Sequence, residues 1–253
     1  MYKEKVKNQF GIRAKTFNES ATWITDQSLI NAHLAAANVS VGKALDLCCG
    51  TGIIGRAFQD CGWEMMGIDI TREMVAEANK YFPTIKGCAE HMPFESNKFD
   101  LLVMRQAMFM LKVPKVLQEV KRVLKKNGQF ILSQTVPFSE VDAPFLKKVH
   151  FCKQAQMKNF YTADDLENYM LENGYVIWTR QELRIKESIT RWMNFAPELT
   201  PGKRQQIYHL IKNAPGEYRK LRNVEVVDNQ LWEDWNWVIF GAGFRDTNEK
   251  KIG

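Results

Sequence analysis

The chain has 253 residues and a formal charge of +6, with 45% hydrophobic and 11% aromatic residues. That length holds one large α/β domain, with or without a cap, and the composition suffices for a real core. No uninterrupted apolar run reaches membrane-spanning length, the first residues do not read as a secretory signal, and five cysteines form no even framework, which suits a reducing cytoplasm.

Residues 1–40 read as one or two helices, an N-terminal arm anchored by Phe10, Phe17 and Trp23. Strands and helices then alternate: strand 43–49, helix 53–61, strand 64–69, helix 72–81, a short strand near 84–87, strand 100–104, helix 113–126 and strand 129–134. Val113, Val116, Leu117, Val120, Val123 and Leu124 form an apolar stripe with helical spacing. Lys115, Lys121, Lys125 and Lys126 read as its solvated face, and Asn127-Gly128 as the helix stop. Such alternation predicts right-handed crossovers and a parallel sheet.

The rhythm changes after Ser139. Helices near 140–157 and 162–173 are expected, the second opened by a Thr162/Asp165 cap, with a strand over YVIWTRQEL after Gly174. Segment 186–225 reads as two helices broken by Pro197, Pro201 and Pro215. The last strand, LWEDWNWVIFGAGF, puts Trp235, Trp237 and Ile239 on one face.

The most informative segment is KALDLCCGTGIIG, an apolar strand running into a glycine turn. Gly50, Gly52 and Gly55 spell G-x-G-x-x-G, and Asp69 ends the next strand, where it can accept from ribose hydroxyls. The glycines would let the backbone approach a ligand, with helix N–H groups turned to an anion. By itself this pattern suits a dinucleotide. Asp46 argues otherwise, because a carboxylate inside that strand repels a pyrophosphate and suits a ligand carrying an ammonium group.

Several ordered motifs (LDLCCGTG, GIDIT followed by Met74, AEHMPF, FDLLVMRQA and EVKRVLKKNGQFIL) make the chain resemble the class I S-adenosylmethionine-dependent methyltransferases. The resemblance is to the small-molecule subgroup typified by ubiquinone/menaquinone and biotin-precursor methyltransferases. It covers residues 10–132 well and the rest loosely. It implies a Rossmann-like, seven-stranded, mostly parallel sheet with an antiparallel last strand, helices on both faces and a helical cap. It further implies one domain over 1–253, with the 1–40 arm and a 186–225 insertion forming a substrate lid. Asp46, Gly50, Gly52, Asp69, Ile70, Met74, Ala89, Glu90 and Arg105 would hold S-adenosyl-L-methionine. Two positions depart from the family: Cys48 stands where glycine is usual, and Cys88 where an aspartate accepts from the adenine amino group.

The expected reaction is methyl transfer to a small or carrier-linked metabolite, in quinone, cofactor or secondary metabolism, with the acceptor atom open among O, N and C. Such a displacement needs positioning more than covalent help from the protein. His150 and Tyr161 are the candidate catalytic side chains, with Glu140, Asp142 and His209 behind them. Gln106, Gln134 and Trp192 are the candidate substrate contacts, while Trp235 and Trp237 read as core packing. Adjacent cysteines on a strand face opposite sides, so no metal is assigned. Met104-Arg105-Gln106-Ala107 stands where nucleic-acid methylases tend to carry an N/D-P-P-Y/F segment, and no basic arm appears, so no nucleic-acid partner is expected. A homodimer is compatible with this reading. A noncatalytic module with the same fold is the competing reading, and an NAD-dependent oxidoreductase is third because no Tyr-x-x-x-Lys or histidine-centred set is visible.

Overall fold

A computed structural model describes residues 2–38, 40–154 and 156–244. The N-terminal arm is α1 (Tyr2–Arg13), two short 3-10 segments and α2 (Gln27–Ala36). The alternating region follows as β1 (Lys43–Leu47), α3 (Ile53–Asp60), β2 (Glu64–Asp69), α4 (Arg72–Ala78), β3 (Thr84–Lys86), β4 (Phe99–Arg105), α5 (Val113–Val123) and β5 (Leu124–Val136). Then come α6 (Ala143–Lys153), α7 (Ala163–Glu172), β6 (Tyr175–Ser188), α8 (Ile189–Asn194), α9 (Pro201–Lys212), α10 (Gly216–Leu221), β7 (Glu225–Val227) and β8 (Gln230–Phe244).

The strands form one sheet in the order β3-β2-β1-β4-β5-β8-β6, with β7 paired to β8 beside that path. β1 through β5 pair in parallel, and β8 runs antiparallel to both β5 and β6. The expected seven strands therefore form the main path, and β7 is an eighth. β1 is buried at every position but Lys43 because helices cover both faces of a central parallel strand. In β8, Trp235, Trp237 and Ile239 do share a face, while Val238, Phe240 and Ala242 pack into the cluster on the other side.

Some boundaries moved. α5 ends at Val123, three residues before the expected stop, and Lys125 lies in β5, where its ammonium meets Asp100 at 2.8 Å. The helical stripe through Val123 is buried as expected, but Leu124 already pairs with Phe99. β6 continues to Ser188, held against β8 over its full length, so the insertion begins at 189 rather than 186. It contains three helices, since Pro201 opens α9 and Pro215 precedes α10, each proline standing where its missing N–H costs nothing. The Thr162/Asp165 capping box is present, with bonds of 3.0 and 2.8 Å.

The chain leaves β1 toward β2 and β3 on one side, then returns across β1 to β4 and β5 on the other. A crevice opens at such a reversal, outside the carboxyl ends of the strands. β8 starts at that same edge, because Asn236 is registered with Val136. No helix of the described residues is long and apolar enough to cross a membrane.

Candidate functional site

A cavity fills this crevice. Asp46, Cys48, Cys49 and Gly50 reach it from β1 and the turn after it, Asp69 and Ile70 from the end of β2, Met74 from α4, and Cys88, Ala89 and Glu90 from the loop after β3. Arg105 and Gln106 enter from β4, Gln134 from β5 and Trp235 from β8. α1 closes one side with Lys3, Val6, Phe10 and Arg13, a single helical face by their spacing.

The two aspartates are held by the backbone of the glycine turn and its neighbours. Asp69 accepts from Gly50 N–H at 2.9 Å through Oδ2 and from Thr71 N–H at 2.8 Å through Oδ1. One bond per oxygen leaves lone pairs for further donors. Asp46 Oδ2 accepts from Gly55 N–H at 2.9 Å. Burial pushes the Asp46 carboxyl up to about 7, with the Asp69 charge adding to the rise and the Gly55 bond and Arg105 opposing it. These contacts consume N–H groups that the glycine pattern had assigned to a ligand anion.

Of the three glycines in this turn, Gly50 alone combines a left-handed backbone (φ 54°) with open space, where an added Cβ would meet nothing nearer than the Phe17 ring at 4.0 Å. Gly52 does not border the cavity. Its Cβ position is filled by Ala78 and Phe82, both at 3.1 Å, and that of Gly55 by Phe82 at 2.4 Å. Two of the three glycines are therefore packing residues, which corrects the expectation for Gly52. Cys48 adopts φ 60°, the left-handed region where the family's usual glycine is free of strain.

Cys48, Cys49 and Cys88 all border the cavity, and burial pushes the Cys48 and Cys49 thiols up, so both stay protonated. Lys3 bridges Cys88 Sγ and Glu90 Oε2, each at 3.0 Å, and Glu90 Oε1 accepts from Lys112 N–H at 3.1 Å. Arg105 lines the cavity and is also tied to the N-terminal arm. Its Nη1 donates to the carbonyls of Trp23 and Ile24, at 3.4 and 3.1 Å, and its guanidinium lies over the Trp23 ring, so it fastens the N-terminal arm.

The candidate substrate contacts divide. The Gln106 side chain is committed to β5, donating to Thr135 Oγ1 and accepting from Gln134 and from Thr135 N–H at 2.6–2.7 Å. Gln134 keeps its Oε1 buried and unpartnered. Trp192 borders the cavity, and so does Trp235, which the strand pattern had assigned to packing alone. The two rings meet edge to face at 5.2 Å.

His150 and Tyr161 both reach the cavity, but neither has a near-neutral proton affinity. Burial, with Arg222 and Lys153, drives His150 down to about 3, and burial lifts Tyr161 to about 12. Asp142 lies elsewhere, fully buried and paired with Arg222 at 2.6 Å. His33 is a satisfied core histidine between Leu29 O and Ser133 Oγ, each at 2.6 Å. Lys153 was missed in the sequence, although its spacing from Leu146 and Val149 places it on the buried face of α6.

Residues 45–132 match the family model described as a methyltransferase domain. The chain resembles the class I S-adenosylmethionine-dependent methyltransferases. A demethylmenaquinone methyltransferase of Lactiplantibacillus plantarum is 31% identical over 137 residues, 49% of this chain and 54% of that protein. Across the curated relatives the match spans 25% to 66% of their own lengths. A solved structure from Bacillus halodurans, titled a putative methyltransferase, superimposes with a TM-score of 0.77 at 21% identity, covering 85% of this chain and 98% of that one. The geranyl diphosphate C-methyltransferase of Streptomyces coelicolor, solved with S-adenosyl-L-homocysteine, has a TM-score of 0.59 at 12% identity, covering 86% and 79%. These two establish the fold.

The cradle suits an adenosyl cofactor. Gly50 has no side chain to obstruct it, Asp69 retains acceptor capacity, and Asp46 is a buried carboxyl that an ammonium would neutralise. Gln134 Oε1 is a buried acceptor on the same wall.

Proposed function

We propose that the protein is an S-adenosyl-L-methionine-dependent methyltransferase acting on a small or carrier-linked metabolite. The observation that carries this reading is the pair Asp46 and Asp69, braced by Gly55, Gly50 and Thr71 N–H groups at the ends of adjacent strands. The matching family and the methyl-transferring relatives support it. The donor supplies an electrophilic methyl group on a sulfonium centre.

The residues bind and orient. Asp69 accepts from the ribose, Asp46 pairs with the ammonium, Met74 and Ala89 give apolar walls, and Glu90 stands at the adenine end beside Cys88. The α1 arm and the 189–224 insertion act as covers that exclude water. Phe10, Phe17 and Trp192 project from them into the cavity. His150 serves as a neutral hydrogen-bonding group, so the acceptor is one that reacts by orientation rather than by strong base assistance.

Calorimetric titration with S-adenosylhomocysteine and, separately, NAD tests the reading. Binding of the first and not the second is expected. Binding of NAD alone would move the protein to the oxidoreductases, and binding of neither would favour a noncatalytic module.

A further inference from the structure

The end of the cavity away from the cradle holds a buried lysine with no carboxylate partner of its own among the described residues. Lys153 is 5% exposed, in the last turn of α6, and its Nζ lies 4.3 Å from the centroid of the Trp192 ring. Among the described residues it makes no ion pair. The carboxylate that most influences it, Glu187, is already engaged by the N–H groups of Thr22 and Trp23, at 2.9 and 3.2 Å. Arg13 on the opposing α1 adds a second positive charge to this end, and its own partner is Glu198, which also binds Gln9.

One turn before Lys153, His150 presents a buried Nε2 without a hydrogen-bond partner. The walls around these two groups are aromatic. His150 lies 6.0 Å from Trp192, 5.9 Å from Trp235 and 6.3 Å from Phe160, measured between ring centroids. A buried ammonium is costly unless it is paired, and a buried imidazole nitrogen without a partner forfeits a hydrogen bond. The subsite therefore combines a lysine without a carboxylate partner, a second polar group one helical turn away and a flat apolar enclosure.

We propose that this subsite binds the carboxylate of an aromatic acid acceptor, Lys153 Nζ facing one oxygen and the His150 ring the other, with the aromatic body between Trp192, Trp235 and Phe160. A cationic acceptor is disfavoured because it would meet Lys153 with no free carboxylate beside it. A neutral one leaves the ammonium unpaired. Burial and Arg13 press the Lys153 ammonium toward losing its proton, and an arriving anion removes that pressure. The proposal rests on the methyl-transfer reading, since it names the acceptor for the same cavity.

The test is calorimetry on the full chain. S-adenosylhomocysteine is titrated first, then 1-naphthylacetate or its uncharged counterpart 1-naphthylacetamide into the loaded protein. The acid should bind at least about tenfold more tightly, the worth of one charge-assisted contact. Lys153→Met, which keeps the apolar stem, should remove that preference. Equal affinities, a preference for the amide, a preference that survives in Lys153→Met, or binding of neither probe overturns the proposal. If Lys153→Met does not fold, the wild-type comparison of acid with amide decides alone. Loss of S-adenosylhomocysteine binding itself would fall on the methyl-transfer reading, so the two failures are distinguishable.

Discussion

Replacing Asp69 with alanine separates what this carboxylate does for the fold from what it does for a ligand. In the free protein it holds Gly50 N–H at 2.9 Å and Thr71 N–H at 2.8 Å, both to an ionisable acceptor that is 9% exposed. Hydrogen bonds of this type contribute about 1.5 kcal/mol each, so truncation should cost about 3 kcal/mol of stability. For a chain of this size that is a fall in Tm of about 6–12 °C. Two further bonds to ribose hydroxyls, of the same type, would be lost on binding. That is another ~3 kcal/mol, or about 150-fold in Kd for S-adenosylhomocysteine. Thermal unfolding reads the first quantity and calorimetric titration the second. A lowered Tm with affinity within about threefold of wild type would show that Asp69 only braces the turn, and the ribose assignment would fall.

Three other outcomes follow from the same geometry. Asp46 titrates near 7, and its charged form is the one that pairs with an ammonium, so affinity for S-adenosylhomocysteine should rise with pH through about 7. Below that it should drop about tenfold per pH unit; Asp46→Asn should abolish the dependence, and a wild-type profile flat from pH 5.5 to 8 would contradict the pairing. Cys48→Gly should relieve the φ of 60° and stabilise the protein by about 0.5–1 kcal/mol, visible as a Tm higher by about 1–4 °C; a lowered Tm would show that thiol packing outweighs the strain. Arg222→Met should destabilise by about 3–5 kcal/mol in denaturant unfolding, because it strands Asp142 and Glu233 in the interior; a change under 1 kcal/mol would mean that water reaches them.

The alternation of strands and helices from Lys43 to Val136 was legible because each element carries its own period. A parallel central strand reads as an apolar run, and an amphipathic helix such as α5 shows a 3.6-residue stripe. The position of the cradle was legible too, since Asp46, Gly50 and Asp69 lie at strand ends that the alternation defines. Even the two faces of β8 could be read from the spacing of Trp235, Trp237 and Ile239.

Roles that depend on a partner distant in sequence were not. Gly52 looked like a ligand-facing glycine until Ala78 and Phe82 were seen to fill its Cβ space. Arg105 read as a cofactor contact, and nothing local showed that its Nη1 also meets the carbonyls of Trp23 and Ile24, about 80 residues earlier in the chain. Lys153 carried no signal of its own in the sequence, and only the packing of α6 brings it to the Trp192 ring. Local sequence determines which backbone conformation is cheapest and which face is apolar. Whether a polar side chain meets a ligand, a carbonyl or nothing is decided by surfaces brought together only when the sheet closes under its covering segments. That is why the strand ends that carry the cradle could be read from the chain, while the surroundings of Gly52 and Lys153 could not.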